Sequence, residues 1–84
     1  METTTVNLGS DWTKVIDASD SKWIIQNTDL SSVYIKYSDA QPDPDVEGIV
    51  LQKNEGMVSG THGTGTIWAR VKYYRDDGKI TITK

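Results

Sequence analysis

The sequence predicts an all-β protein with a single small domain, a β-sandwich or jelly-roll-like barrel of about eight short antiparallel strands. Short runs rich in β-branched and aromatic residues recur along all 84 residues, and glycine, proline, aspartate and serine separate them. No stretch shows the apolar repeat of about 3.6 residues that indicates an amphipathic helix. A short helix over residues 12–20 is the one alternative to this pattern.

The predicted strands include one long run near the C-terminus. The eight runs cover residues 3–8, 12–16, 22–27, 32–38, 48–53, 57–59, 65–74 and 79–83. Side chains alternate between the two faces of a strand. In the longest run, 65–74, alternation places Ile67, Ala69, Val71 and Tyr73 on one face, and we expect that face to be core.

The end of the chain predicts a β-hairpin. Asp76, Asp77 and Gly78 separate the run at 65–74 from the clean alternation of 79–83. Asp-Gly between two alternating runs is the strongest short-range signal for a hairpin. We therefore expect the last two strands to pair with each other.

The second face of the run at 65–74 is the candidate binding surface. It carries Trp68, Arg70, Lys72 and Tyr74, and alternation along the run at 32–38 directs Tyr34 and Lys36 outward from that strand. Trp, Tyr and Arg are enriched in binding hot spots. The candidates for a partner interface are therefore Trp68, Arg70, Lys72, Tyr74 and Tyr34. The alternative is that the protein's own loops cover this face, or that the long side chains lie along it with their charged ends in water.

Length and charge limit the classes of function. One domain of this size rarely gains more than ~3–5 kcal/mol from its core alone. The chain has no cysteine, which excludes disulfides and thiolate metal sites, so oligomerisation is expected. The net charge of −3 disfavours nucleic acid and a polybasic membrane anchor. Neither a transmembrane run nor a signal-peptide pattern is present, so we expect no membrane partner.

The loop at residues 39–47 is acidic. Asp43, Asp45 and Glu47 alternate along it, and clustered carboxylates suit hard cations such as calcium. The loop lacks the glycine and the spacing of the helix–loop–helix calcium site, and two prolines interrupt it. We interpret it as a solvated acidic loop, with a weak calcium site as the alternative.

No other stretch predicts a chemical site. Residues 60–65 are glycine-rich but lack the lysine and the following helix of a phosphate-binding loop. His62 is the only histidine, and it lies within this glycine-rich connection. Trp12 and Trp23 lie beside apolar runs and are expected in the core. We predict a non-enzyme with no catalytic residues, no cofactor and no metal site.

Several segments together resemble the small all-β virion proteins of tailed bacteriophages. These segments are Trp12-Thr-Lys-Val-Ile, Trp23-Ile-Ile-Gln-Asn, Val33-Tyr-Ile, Gly48-Ile-Val-Leu, Gly65-Thr-Ile-Trp-Ala-Arg and Ile80-Thr-Ile-Thr. The resemblance implies a structural protein, either a capsid decoration or accessory protein or a tail or fibre-attachment component. It implies assembly on the major capsid protein or other virion subunits, as a homo-oligomer or symmetric array. The expected location is the virion, after synthesis in the host cytoplasm.

A carbohydrate- or ligand-binding module is the alternative function. Small β-sandwiches bind sugars by stacking them on exposed aromatic side chains, and Trp68 with Tyr74 would supply such a platform. For residues 1–5 the alternative to an ordered strand is a flexible or exchanged arm that reaches a neighbouring subunit.

Overall fold

The computed structural model describes residues 2–60, 65–73 and 77–84, and these residues form eight strands. The strands are β1 Thr3–Leu8, β2 Thr13–Ile16, β3 Ile24–Asn27, β4 Val33–Tyr37, β5 Ile49–Leu51, β6 Gly56–Val58, β7 Ile67–Val71 and β8 Gly78–Thr83. The described chain contains no helix, and β2 occupies the region for which a helix was the alternative. Each strand lies within or beside one of the runs that the sequence predicts.

The strands form two four-stranded antiparallel sheets. Sheet A has the order β1-β8-β3-β6, and sheet B has the order β2-β7-β4-β5. Successive strands lie in opposite sheets at every connection except that between β4 and β5. Two facing sheets joined by such crossing connections form a jelly-roll sandwich, which confirms the predicted fold class.

The core lies between the two sheets and follows from the alternation along each strand. Ile67, Ala69 and Val71 of β7 are fully buried, as predicted, and they face the buried Ile25 of β3 and Ile80 of β8. Burying one aliphatic side chain contributes about 1.5–3 kcal/mol before the entropy of ordering is counted. The core is therefore a continuous, mainly aliphatic layer to which both sheets contribute.

The prediction that Tyr73 belongs to the core is wrong. Its side chain is 58% exposed, because β7 ends at Val71 and the chain leaves the sheet there. Trp23 is buried in the core as expected. Trp12 is also buried, but it lies outside the core cluster, on the other side of sheet B.

The predicted hairpin between the last two strands is also wrong. β7 pairs with β2 and β4, whereas β8 pairs with β1 and β3, so both edges of each strand are already occupied. The connection therefore crosses from sheet B to sheet A, a separation of about 10 Å. Gly78 begins β8 at this crossing, and a Cβ added there would lie 2.9 Å from Cγ1 of Val71. The glycine thus allows the two sheets to approach closely instead of forming a tight turn.

Candidate functional site

The outer face of sheet B carries most of the candidate residues. Lys14 of β2, Trp68 of β7 and Lys36 of β4 are direct neighbours across three adjacent strands. One step further along the sheet, Arg70 of β7 lies opposite Tyr34 of β4. These two sets of residues have different exposures and different chemistry.

We call Lys14, Trp68 and Lys36 the lysine–tryptophan row. The indole Nε1 of Trp68 donates a hydrogen bond of 2.9 Å to the backbone carbonyl of Ser38, so the polar atom of the ring is satisfied within the chain. The ring is partly exposed. Lys14 is exposed and its Nζ lies 3.6 Å from a carboxylate oxygen of Asp17, a surface ion pair. The row therefore presents a partly exposed ring between two lysine residues.

We call Trp12, Tyr34 and Arg70 the Arg70 cluster. The guanidinium carbon of Arg70 lies 5.0 Å from the ring centroid of Trp12 and 4.7 Å from that of Tyr34. A planar cation between two aromatic faces gains cation–π attraction, which is stronger where water is excluded. Arg70 is only 4% exposed. The cluster is thus a small second core on the outside of sheet B.

The acidic loop, residues 39–47, covers the Arg70 cluster. Trp12 Nε1 donates to the carbonyl of Asp43 at 2.9 Å, and Gln41 Nε2 donates to the carbonyl of Trp12 at 2.9 Å. Arg70 Nη2 donates to the carbonyl of Val46 at 3.0 Å. The loop is therefore fastened to the sheet through its backbone, while the side chains of Asp43, Asp45 and Glu47 remain exposed.

The structure separates the five predicted interface residues into three groups. Trp68 and Lys72 are partly exposed, and the ammonium of Lys72 lies 5.5 Å from the ring centroid of Tyr73. Tyr34 and Arg70 are buried under the acidic loop. For these two residues the structure matches the alternative that the protein's own loops cover this face. Tyr74 lies outside the described residues. A contact of any of them with a partner stays a prediction.

Sequence reasoning missed Lys14 and Lys36 as members of this surface. Lys36 was expected to face outward, but its position beside Trp68 depends on the register between β4 and β7. Lys14 reaches the same row through the register between β2 and β7. Alternation indicates the face of a residue, and only the pairing register indicates its neighbours.

The described residues provide no preformed metal centre. Within residues 2–60, 65–73 and 77–84, no three His, Cys, Asp or Glu side chains are grouped closely enough to hold a metal ion. The acidic loop therefore gives the calcium alternative no preformed site, and His62 lies outside the described residues. The described part of the chain also contains no helix with the length and apolar character that a membrane crossing requires.

A cleft of about 500 Å³ lies on the sandwich where residues 19–22 meet the start of β1 and the end of β8. Lys84 Nζ donates to Asp20 Oδ2 at 2.9 Å there, and this hydrogen bond lowers the pKa of Asp20. The two opposite charges satisfy each other at the surface. The cleft thus contains an ion pair that joins a loop to β8.

Comparison of the chain with protein-family models, with curated proteins and with solved structures gave no match.

Proposed function

We propose that this chain is a non-enzymatic structural protein of a bacteriophage particle, a capsid decoration or accessory protein that binds the shell through the lysine–tryptophan row. The observation that carries the proposal is the placement of Trp68 between Lys14 and Lys36 on three adjacent strands. The segment resemblance to phage virion proteins supplies the biological setting.

The chemistry of the row suits a protein surface as partner. The indole N–H of Trp68 is satisfied by Ser38, so a partner needs to supply only apolar contact to the ring. The two flanking lysines favour an acidic rim around that contact. Tryptophan is among the residues that dominate interface energies when water is excluded from around them. A small contact of this kind becomes effective when copies are joined in an oligomer, because the binding of one copy raises the effective concentration of the next at the shell.

The jelly-roll fold is compatible with the proposal and with its rival. Viral capsid subunits and lectins both use this architecture, so the fold alone does not separate them. The sugar-binding alternative relies on Tyr74 as a second ring beside Trp68, and Tyr74 lies outside the described residues. Tyr34, on the same face of the neighbouring strand, is buried under the acidic loop and offers no further stacking surface.

The copy number of this chain in gradient-purified particles tests the proposal. A ratio to the major capsid protein near one, or a simple fraction of one, supports decoration of the shell. A few copies per particle would assign the chain to the tail or to fibre attachment. Absence of the chain from particles would overturn the virion proposal.

A glycan titration followed by tryptophan fluorescence tests the rival. Trp12 and Trp23 are buried, so a saturable change on binding would report mainly on Trp68. The structural role predicts no saturable change. Saturable quenching that is lost in a Trp68→Leu variant would favour the ligand-binding module.

A further inference from the structure

We propose that two copies of this chain pair through the free edge of β1, in antiparallel register about a two-fold axis at Thr5. The partner is a second copy, and the contact joins the two A sheets into one sheet of eight strands. This surface lies on the other sheet from the lysine–tryptophan row, so the inference goes beyond the proposed function and does not depend on phage biology.

β1 is the longest edge strand that the structure describes. It pairs with β8 on one side, has none of the described strands on the other, and extends over six residues from Thr3 to Leu8. The sequence Thr-Thr-Thr-Val-Asn-Leu contains no charge and no proline, and its pairing with β8 has no register shift. Charged side chains, prolines and β-bulges are the features with which natural edge strands normally block pairing. Their absence leaves β1 open to another strand.

The other described edges are less suited to pairing. β5 and β6 are three residues long each. β2 has four residues, includes Lys14, and shows a register irregularity between Lys14 and Ile16. Short, charged or bulged edges resist the addition of a strand. The contrast makes β1 the preferred edge.

The hydrogen bonds of β1 show which of its groups face outward. Glu2 and Lys84 exchange both backbone hydrogen bonds, at 2.7 and 2.9 Å. In an antiparallel pair such residues alternate with residues that do not bond to the partner strand. Thr4 and Val6 therefore bond to β8. Thr3, Thr5 and Asn7 direct their N–H and C=O groups to the free edge.

One register satisfies all of these outward groups. A two-fold axis at Thr5 places Thr5 opposite Thr5 of the second copy and Thr3 opposite its Asn7. Each of these is a hydrogen-bonded pair, so the three N–H and three C=O groups of each β1 are all used. Shifting the register by two residues leaves one of the three outward-facing residues unpaired at each edge.

The side chains are compatible with this register. On the outer side of the sheet only Thr and Asn meet, so no like charges oppose each other. On the core side the half-buried Val6 meets Thr4 of the second copy, which covers its remaining exposed surface. The inner layer of the sandwich then continues from one copy to the other.

A proline at position 5 tests the pairing without breaking the sheet. The N–H of Thr5 faces the free edge, so Thr5→Pro removes hydrogen bonds to a second copy but none to β8. Thr5→Val keeps the N–H and the β-branched shape and serves as the matched control. In sedimentation equilibrium over a range of concentrations, we expect wild type and Thr5→Val to dimerise. The association constant of Thr5→Pro should be lower than that of wild type by about tenfold or more. Its circular dichroism spectrum should be unchanged.

A disulfide experiment tests the register. The chain has no cysteine, so Thr5→Cys and Thr3→Cys each introduce a single thiol. The two-fold at Thr5 brings the Thr5→Cys thiols together, while those of Thr3→Cys lie about 13 Å apart, four residues along the strand. We expect oxidised dimer from Thr5→Cys and little from Thr3→Cys. A monomeric wild type, equal dimerisation of Thr5→Pro, or preferential cross-linking of Thr3→Cys would overturn the proposal.

Discussion

The side-chain amide of Asn27 donates a hydrogen bond of 2.9 Å to the backbone carbonyl of Leu51 and so joins the two sheets of the sandwich. The same Nδ2 donates to the carbonyl of Ser31 at 2.9 Å, and Oδ1 accepts from the N–H of Asp29 at 3.0 Å. Asn27 is fully buried. Both amide hydrogens and the amide oxygen are therefore satisfied in a site without water contact.

Replacement of Asn27 by alanine should lower the free energy of unfolding by about 2–4 kcal/mol. The variant leaves the carbonyls of Leu51 and Ser31 without their donor and opens a cavity at the end of the core. Urea denaturation measures the change. Gln26→Ala, at the exposed neighbouring position, should change stability by no more than about 0.5 kcal/mol. Equal effects of the two substitutions would contradict the bridging role.

Replacement of Arg70 by lysine should destabilise the protein by about 2–4 kcal/mol, although the charge is kept. An ammonium group cannot reproduce the two hydrogen bonds to Val71 and Val46 together with stacking between two rings. Hydrogen exchange in the acidic loop should become faster, because its anchor to the sheet is lost. Lys72→Met, on the partly exposed continuation of β7, is the matched control. Unchanged exchange in Arg70→Lys would show that the loop is held by other contacts.

Replacement of Tyr37 by phenylalanine should leave stability unchanged or raise it by up to about 1 kcal/mol. The Tyr37 hydroxyl is buried and has no hydrogen-bond partner among the described residues, and burial raises its pKa. Removal of the oxygen therefore loses no described interaction. Thermal unfolding of Tyr37→Phe, with the exposed Tyr73→Phe as reference, measures the effect. A loss of more than about 1 kcal/mol would mean that the hydroxyl has a partner in solution.

Acid should remove the stabilisation that Asp20 provides. The hydrogen bond from Lys84 holds the pKa of Asp20 below its ordinary value of 3.8. A lowered folded-state pKa stabilises the fold above the ordinary value, and this contribution disappears as the pH falls through the lowered value. The urea midpoints of wild type and Asp20→Asn should therefore differ at about pH 5, and the difference should shrink as the pH falls below 3.8. A gap of the same size at both pH values would exclude this linkage.

Much of the fold follows from local sequence. Alternation along residues 65–74 correctly placed Ile67, Ala69 and Val71 in the core, and the spacing of short runs predicted a jelly-roll or sandwich fold. The hairpin predicted at Asp76-Asp77-Gly78 is not formed, because a turn signal does not determine which sheet a strand joins. That choice depends on β7 and β8 each having both neighbours already supplied by distant strands.

The candidate surface was less predictable than the core. Alternation placed Trp68 and Arg70 on the same face of β7, yet only Arg70 is buried. The difference arises from Trp12 and the acidic loop, which pack over Arg70 from distant parts of the chain. The proline and aspartate residues of the acidic loop predicted an exposed loop, and its carboxylates are exposed. The backbone carbonyls that fasten the loop carry no signal in the sequence.

The central claim is the proposal that the chain binds a bacteriophage particle through Trp68. Competition between wild-type and Trp68→Ala chains for places on the same phage particles tests it most directly. A host that supplies both chains during infection yields particles in which mass spectrometry measures their ratio. Tyr73→Ala, which removes an exposed ring outside the lysine–tryptophan row, is the matched control and should be incorporated as wild type. Urea denaturation of each isolated variant shows whether it remains folded.

We expect Trp68→Ala to remain folded and to be under-represented in particles by about tenfold or more, the loss typical of a hot-spot residue. Incorporation of Trp68→Ala equal to that of wild type would contradict the account. Unfolding of the isolated Trp68→Ala chain would contradict it as well, because Trp68 would then serve the fold and not the contact.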